Sequence, residues 1–536
     1  MPIFNPKDKP RDVEQKVIDH ASVGYDEFVR KQGTLALDKL RMVGVYDDRQ
    51  EGYFMLRTRI PGGYLTTTQA RVVGEVAEEF CARPKGYTEP YEQFLEITTR
   101  QDIQLHWVRV EDLPEIWRRY DAVGLTSLQA CGNSARNITS CPAAGVDPEE
   151  LIDTRKLVAD ATKFVIDNPA YGAFLPRKFK TAIIGARENC ALAQINDLSF
   201  TPAESDGEVG FNVWVGGGLS DYPRLASSLD LFIPPSLLIE AMKACIQVYK
   251  DLGDYKHAAA NRFRLLVHQL GVPRIRTEMR KRASFEFKPA GKELMDRVGN
   301  DHVGVHEQKQ SGFVYVGLNV PIGRMQGKEL VELAKVAEEY GSQDLRLSQR
   351  QNLIIAGIRA GEAGDLLRHP LLKKFSPQPP PFSRALVACT GAPFCKFGIC
   401  SSKDTALALM DHLDKTVHER WGWTAPPVTI HISACKASCA QPQIADIGLR
   451  GNVDVAEKGF EEAFDVSFGG DLLSWKLNEW VETPVPVSKL YSGLEQLFTQ
   501  YLNMRKPDEA FREFWKRRGM EEFKKTIRGE TVGKEE

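Results

Sequence analysis

Apolar residues recur every three or four positions in QARVVGEVAEEF from Gln69 and in KELVELAKVAEEY from Lys328, a spacing that predicts two amphipathic helices. Short runs rich in β-branched and aromatic residues flank each helix. YFMLRTRI from Tyr53 and LEITT from Leu95 enclose the first, and FVYVGLNV from Phe313 and LRLSQ from Leu345 enclose the second; all four read as strands. A larger mixed unit follows each set, with strands such as KTAIIG and VTIHIS and helices such as LVADATKFVID. Strands and helices alternate irregularly, so the pattern predicts an α+β fold rather than a doubly wound parallel sheet.

The resemblance between the two sets is a repeat. GYFMLRTRIPGGY from Gly52 aligns without a gap on GFVYVGLNVPIGR from Gly312, bringing Pro61 onto Pro321 and Gly63 onto Gly323. After an insertion around ARPKGYTEPYEQ, LEITTRQDIQ falls on LRLSQRQNLI, so Arg100 lies opposite Arg350. Further on Cys131 meets Cys389, QINDL from Gln194 meets QIADI from Gln443, and FNVWVGGGL from Phe211 meets FDVSFGGDL from Phe464. Three domains follow from this duplication. Residues 1–120 carry an N-terminal segment and a first strand–helix–strand half whose repeat is a second half at 309–375. Residues 121–287 form a first α/β unit, 288–308 a linker, and 376–536 a second α/β unit entered through the proline-rich run SPQPPPFSRA.

Composition removes several function classes. The chain has 536 residues, 42% hydrophobic and 26% charged, with 70 Lys plus Arg against 72 Asp plus Glu. A net charge of −2 provides no long-range attraction to nucleic acid or anionic lipid. No apolar window is long enough to span a membrane, and the polar, acid-containing start MPIFNPKDKPRDVEQKVIDH fits neither a secretory nor a transit peptide, so the expectation is a cytoplasmic protein.

Charge and thiols are unevenly shared. The first half carries Arg100, Arg136, Lys178 and Lys180 where the second is mostly thiol or neutral, which reads as an anion binder beside a metal binder. Of ten cysteines, Cys389, Cys395, Cys400, Cys435 and Cys439 gather in ACTGAPFCKFGICSSK and HISACKASCAQPQIADIG. Two close pairs, Cys389-x5-Cys395 and Cys435-x3-Cys439, can hold an iron–sulfur cluster or zinc, or be buried apolar cysteines; the x5 spacing argues against zinc.

The paired spacing followed by QIADIGLRG resembles the cluster-binding signature of the sirohaem-containing nitrite and sulfite reductases. The resemblance implies a pseudo-twofold duplicated fold in which the small halves at 1–120 and 309–375 are ferredoxin-like and pair, with sirohaem and a 4Fe-4S cluster as cofactors. Cys389, Cys395, Cys435 and Cys439 would be the cluster ligands, Cys439 also bonding the sirohaem iron, and Cys400 has no place in the pattern. It implies that Arg100, Arg136, Lys178 and Lys180 bind and protonate an oxyanion, with Arg177, Asn137 and the Gly216-Gly217-Gly218 turn toward the sirohaem carboxylates. Tyr64 and Cys131 stand where some members join a tyrosine and a cysteine by a thioether.

Within this family, nitrite reductases resemble PRK[WF]N and sulfite reductases PRKFK or PRKYK; this chain has PRKFK, ending on Lys180. The expectation is therefore six-electron reduction of sulfite to sulfide with electrons from reduced ferredoxin, in a monomer, with nitrite reduction to ammonia as the alternative. A non-catalytic metal-binding scaffold is the alternative of a different class. Basic runs at Arg274, Arg276, Arg280, Lys281 and Arg282, and at Lys516, Arg517 and Arg518, are candidate contacts for an acidic electron donor.

Overall fold

The computed structural model describes residues 3–87, 91–257, 260–456 and 459–529. Residues 88–90 of the expected insertion and the end of the 376–536 unit from 530 onward lie outside them. The three expected segments fall into two compact units: Met1–Gly218, Pro223–Leu318 and Arg324–Pro377 form the first, and Leu219–Tyr222, Asn319–Gly323 and Gln378–Glu536 the second. The division falls inside the proline-rich run.

Both ferredoxin-like halves belong to the first unit, and each sheet borrows one strand from the other. The first runs in the order Val45–Asp47, Phe54–Thr58, Ile103–Val108, Phe94–Ile97 and then Arg324–Gln326 from the second half. The second runs Gly304–Glu307, Phe313–Leu318, Leu353–Arg359, Asp344–Leu347 and then Tyr64–Thr66 from the first. The borrowed strands sit in equivalent registers: Arg324 is opposite Glu96, and Tyr64 is opposite Arg346.

The predicted helices form at Thr67–Phe80 and Gly327–Tyr340. Thr66 and Gln69 cap the first reciprocally, and Glu329 Oε2 accepts from the Gln326 N–H at the start of the second, satisfying backbone N–H groups left unpaired at a helix start. The helices bury Ala70, Val73 and Ala77 on one side and Leu330, Leu333 and Ala337 on the other. The two helices touch where both lack a side chain. A Cβ on Gly74 would stand 2.5 Å from the Gly327 carbonyl oxygen, and one on Gly327 2.3 Å from that of Gly74.

The first α/β sheet is built on Leu198–Ser205, Glu208–Val215 and Ser227–Ile233, antiparallel, with Thr181–Ile183 parallel to the first of them. The second unit repeats that plan. There Leu386–Ala388, Ile430–Ser433 and Ile447–Ala456 run parallel, and Gly459–Phe468 and Glu479–Pro486 add antiparallel. Helices Ser402–Leu413 and Val487–Met504 cover a core that includes Leu409, Ile430, Phe464 and Phe498. Residues 288–308, expected as a linker, are paired along much of their length: Lys288–Pro289, Lys292–Glu293, Arg297–Val298 and Gly304–Glu307 each join a strand of the first unit.

Candidate functional site

Basic side chains converge in the first unit. Arg136 follows the loop that ends at Ala135, which bridges in parallel to Phe179, so the backbone N–H of Arg136 donates to the Phe179 carbonyl and sets Arg136 beside Lys178 and Lys180 in the chain. Arg100 reaches the same place from the turn after Phe94–Ile97. Its Nη1 donates to Asn196 Oδ1 at 2.9 Å and its Nη2 to the Asn137 carbonyl at 2.7 Å. Arg136 donates from Nη1 to Ala130 O at 3.0 Å and from Nη2 to Gly132 O at 2.9 Å.

These contacts orient both guanidinium groups without neutralising them. The buried Nε of Arg100 and that of Arg136 have no hydrogen-bond partner among the described residues, nor do those of Arg224 and Arg262. A buried N–H left unpaired is costly, so a set of four invites an acceptor. Burial pushes Arg100, Arg136 and Arg59 down to about 10, with Asp102, Asp197 and Cys131 opposing it. Lys180 lies well below the ordinary lysine range because burial and the charges of Arg100, Lys178 and Arg262 all disfavour its ammonium, against Asp197 alone. Cations outnumber the acids that face them, and the pocket suits an anion.

Three expectations are corrected by this geometry. Both side-chain N–H groups of Asn137 are spent on Ile60 O at 2.7 Å and Arg100 O at 3.0 Å, so Asn137 positions Arg100. The N–H groups of Gly216, Gly217 and Gly218 donate to Asp197, Asn196 and Arg224 carbonyls, which leaves none for an external anion. The glycines are needed for packing: a Cβ on Gly217 would lie 2.3 Å from Gln194 O. Tyr64 is carried away from Cys131 by the strand exchange. Its hydroxyl donates to Ala144 O at 2.5 Å under Arg346, whereas Cys131 Sγ lies 3.4 Å from Arg57 Nη1, and the tyrosine within its electrostatic range is Tyr46. Arg177 is exposed, with Nη1 3.5 Å from Asn133 Oδ1.

Arg57, Arg59 and Arg262 belong to the pocket and were not singled out from the sequence. Arg57 holds Gln104 Oε1 at 2.6 Å, and buried Arg59 holds Gln129 O at 2.9 Å and Ala135 O at 2.7 Å. The repeat contained the signal, because these positions align with Gly317, Asn319 and Ala510.

In the second unit, parallel neighbouring strands bring the cysteine loops together. Ala388 is in register with Ile432, so Cys389 and Cys435 leave adjacent strand ends, and the Ala434 N–H donates to Cys389 Sγ at 3.2 Å. The loops are tied by Ile399 N–H to Ala434 O. Burial and then the charge of Cys439 raise Cys389 to about 12 and Cys395 to about 11, and Cys435 also acts on Cys395. Thiols such as Cys389 and Cys395, which resist ionisation alone, fit a cationic iron cluster, which supplies the compensating charge. Cys439 is exposed. Cys400 is turned into the core, with Sγ 3.1 Å from Asn452 O.

Most of the candidate docking cations are internally paired. Glu278 takes Arg274, Lys281 and Arg282, Asp230 takes Arg276, and Glu509 and Glu522 take Arg517 and Arg518. Among the described residues no helix is long and apolar enough to cross a membrane.

The duplicated α+β scaffold holds a cationic pocket in one unit and gathers four cysteines in the loops of the other, the residue types of an oxidoreductase that carries an iron–sulfur cluster. The chain belongs to the nitrite and sulphite reductase family: the 4Fe-4S domain model matches residues 131–287 and 381–535, and the ferredoxin-like half-domain model matches 46–123 and 306–372. Its cofactors are sirohaem and a 4Fe-4S cluster. It is 36% identical over 515 residues to the assimilatory ferredoxin-dependent nitrite reductase of Haloferax mediterranei, covering 92% of this chain and 87% of that one. It is 38% identical over 457 residues to the ferredoxin–nitrite reductase of Synechococcus elongatus, covering 84% and 86%. The solved structure of the Mycobacterium tuberculosis NirA protein superposes with a TM-score of 0.88 at 29% identity, covering 96% of this chain and 95% of that one.

Proposed function

We propose that this chain is a ferredoxin-dependent nitrite reductase, taking nitrite to ammonia with six electrons. The pocket, where buried cations outnumber the acids that face them, supports a small oxyanion substrate. The names of the relatives that match most of its length support nitrite and reverse the sequence-based preference for sulfite.

The unpaired guanidinium N–H groups of Arg224 and Arg262 fit the many carboxylates of sirohaem, and Cys389, Cys395, Cys435 and Cys439 would hold the cluster. When bound, the pair supplies an electron relay and an iron at which the oxyanion is reduced. The rest of the chemistry is the chain's own. Arg100 and Arg136 present fixed charge to substrate oxygens from positions set by Asn137, Asn196 and the 130–132 carbonyls. Each oxygen that leaves as water needs two protons. Lys180, whose ammonium is held near release by burial and then by its cationic neighbours, delivers them, with Lys178 replenishing it. Exposed Cys439 has the room to bond a second iron. Lys396, Phe397, Ile399 and Lys436, all exposed around the cluster loops, give acidic ferredoxin a cationic and apolar place to dock.

A second reading, sulfite reduction, is favoured by one observation, Lys180 where the nitrite pattern has asparagine. Sulfite carries more charge and one more oxygen, and a second lysine serves both. Steady-state turnover of nitrite and sulfite side by side with reduced ferredoxin decides. A higher kcat/KM for nitrite upholds the proposal, and a higher value for sulfite replaces it with the second reading.

A further inference from the structure

Apart from the cationic pocket and the cluster loops, one group of ligating side chains is assembled among the described residues of the first unit. Cys141, Cys190 and His302 are 1%, 5% and 1% exposed, and their ligand atoms all lie within 4.8 Å of one another. His302 Nε2 stands 3.7 Å from Cys141 Sγ and 3.2 Å from Cys190 Sγ. We propose that these three residues bind a structural zinc ion, separate from the iron chemistry.

The distances are those of a tetrahedral site. Zinc at about 2.3 Å from sulfur and about 2.0 Å from nitrogen places a thiolate and an imidazole nitrogen about 3.5 Å apart. The observed separations bracket that value. Two thiolates and an imidazole are the soft and borderline donors that select zinc over magnesium or calcium.

The surroundings are those of ligands that have been oriented. His302 Nδ1 lies 3.1 Å from the Tyr315 hydroxyl, so with Nε2 on the metal the Nδ1–H donates to Tyr315, the outer contact that ligating histidines keep. Backbone N–H groups of Ala143 and Asn300 point at the sulfurs of Cys141 and Cys190. His302 itself is in the left-handed region, φ +59, a conformation that costs a non-glycine residue strain and persists where its surroundings fix it. Asn300 Oδ1 accepts from the His302 N–H at 3.0 Å, and the His302 carbonyl is pressed so closely on Gly317 that a Cβ there would lie 1.6 Å from its oxygen.

The site would act as a staple. His302 belongs to the segment joining the two halves, Cys141 closes the stretch carrying Arg136 and Asn137, and Cys190 follows Asn189, whose side chain organises the turn leading to Asn196 and so to Arg100. Binding expels the two thiol protons to solvent and ties three remote parts of the chain to one ion.

Metal analysis of the holoenzyme, purified without chelator, tests this. The expected result is about one zinc per chain, with zinc-edge X-ray absorption showing two sulfur neighbours at about 2.3 Å and lighter ones at about 2.0 Å. C141S and C190S should each lose that zinc while the visible absorption of the iron groups stays. If these variants do not fold, H302Q and the wild-type measurement carry the test. A wild-type protein from zinc-supplemented cells that holds no zinc would overturn the proposal. Zinc that survives C190S, or a Cys141–Cys190 disulfide in non-reducing peptide maps, would do the same.

Discussion

Gln101 and Gln351 occupy equivalent turns, both left-handed at φ +60 and +64, and each sends its side-chain amide into the other half. Gln101 Nε2 donates to Leu347 O at 2.8 Å, and Gln351 Nε2 donates to Ile97 O at 2.9 Å. Gln101 also bonds Gly62 O and accepts from the Ser140 N–H. Stranding those buried groups costs about 1 to 3 kcal/mol each. Gln101→Ala should therefore lower the denaturant midpoint markedly while leaving the cluster thiols of the second unit able to load iron, checked by unfolding curves and iron content.

Arg100 carries charge that no bonded carboxylate offsets. Arg100→Ala and Arg136→Ala should each lower turnover by roughly 100-fold, the scale of losing one fixed donor to a developing charge. Arg100→Lys should recover little, because a single ammonium nitrogen lacks the fork by which Nη1 reaches Asn196 and Nη2 reaches Asn137. Single-turnover rates on either oxyanion would show this directly.

Lys180 ties proton delivery to pH. Its pKa is depressed, so it loses its proton as pH rises well before an ordinary lysine would, and the alkaline limb of the rate should fall there. Lys180→Arg should push that limb to higher pH. Lys180→Asn should remove it and depress sulfite turnover more than nitrite turnover; equal losses would remove the argument for sulfite.

His106 gives stability an opposite signature. Burial alone would lower its pKa, but Asp48 and Glu96 outweigh burial and hold it at about 9. The raised value means a stabilisation complete below about pH 6.5 and lost as pH climbs through 9, on the order of 2 kcal/mol. Thermal midpoints of wild type and His106→Gln should converge at alkaline pH.

Docking by charge predicts that Lys436→Glu raises the KM for ferredoxin several-fold at low salt and leaves the rate with a small dye donor unchanged. Cys395→Ser should lose the cluster and its visible absorption. Cys400→Ala should keep both, since that thiol is bonded to Asn452 in the core.

The duplication was legible because strand, helix and turn residues had to be kept twice; Gly63 and Gly323 still align after the halves took on different chemistry. The cluster loops were legible because thiolate spacing is local. The pocket was only half legible. Arg57 sits in the strand Phe54–Thr58 and Arg59 just beyond it, at alternate positions that look solvated in sequence, and only the structure shows Arg59 buried and Arg57 bonded to Gln104. Tyr64 was misplaced for a related reason: proximity along one half misleads when its strand belongs to the other half's sheet. Asn137 and the Gly216–Gly218 turn looked like binders because sequence does not reveal that their donors are already taken.

The exchanged strands set an order on synthesis. The first sheet lacks its edge until Arg324–Gln326 leaves the ribosome, and the second lacks its own unless Tyr64–Thr66 has stayed available. Neither half can be completed by its own stretch of chain. What began as two copies has become a single folding event, and a nascent chain cut short before residue 324 exposes an unpaired edge ready for the wrong partner.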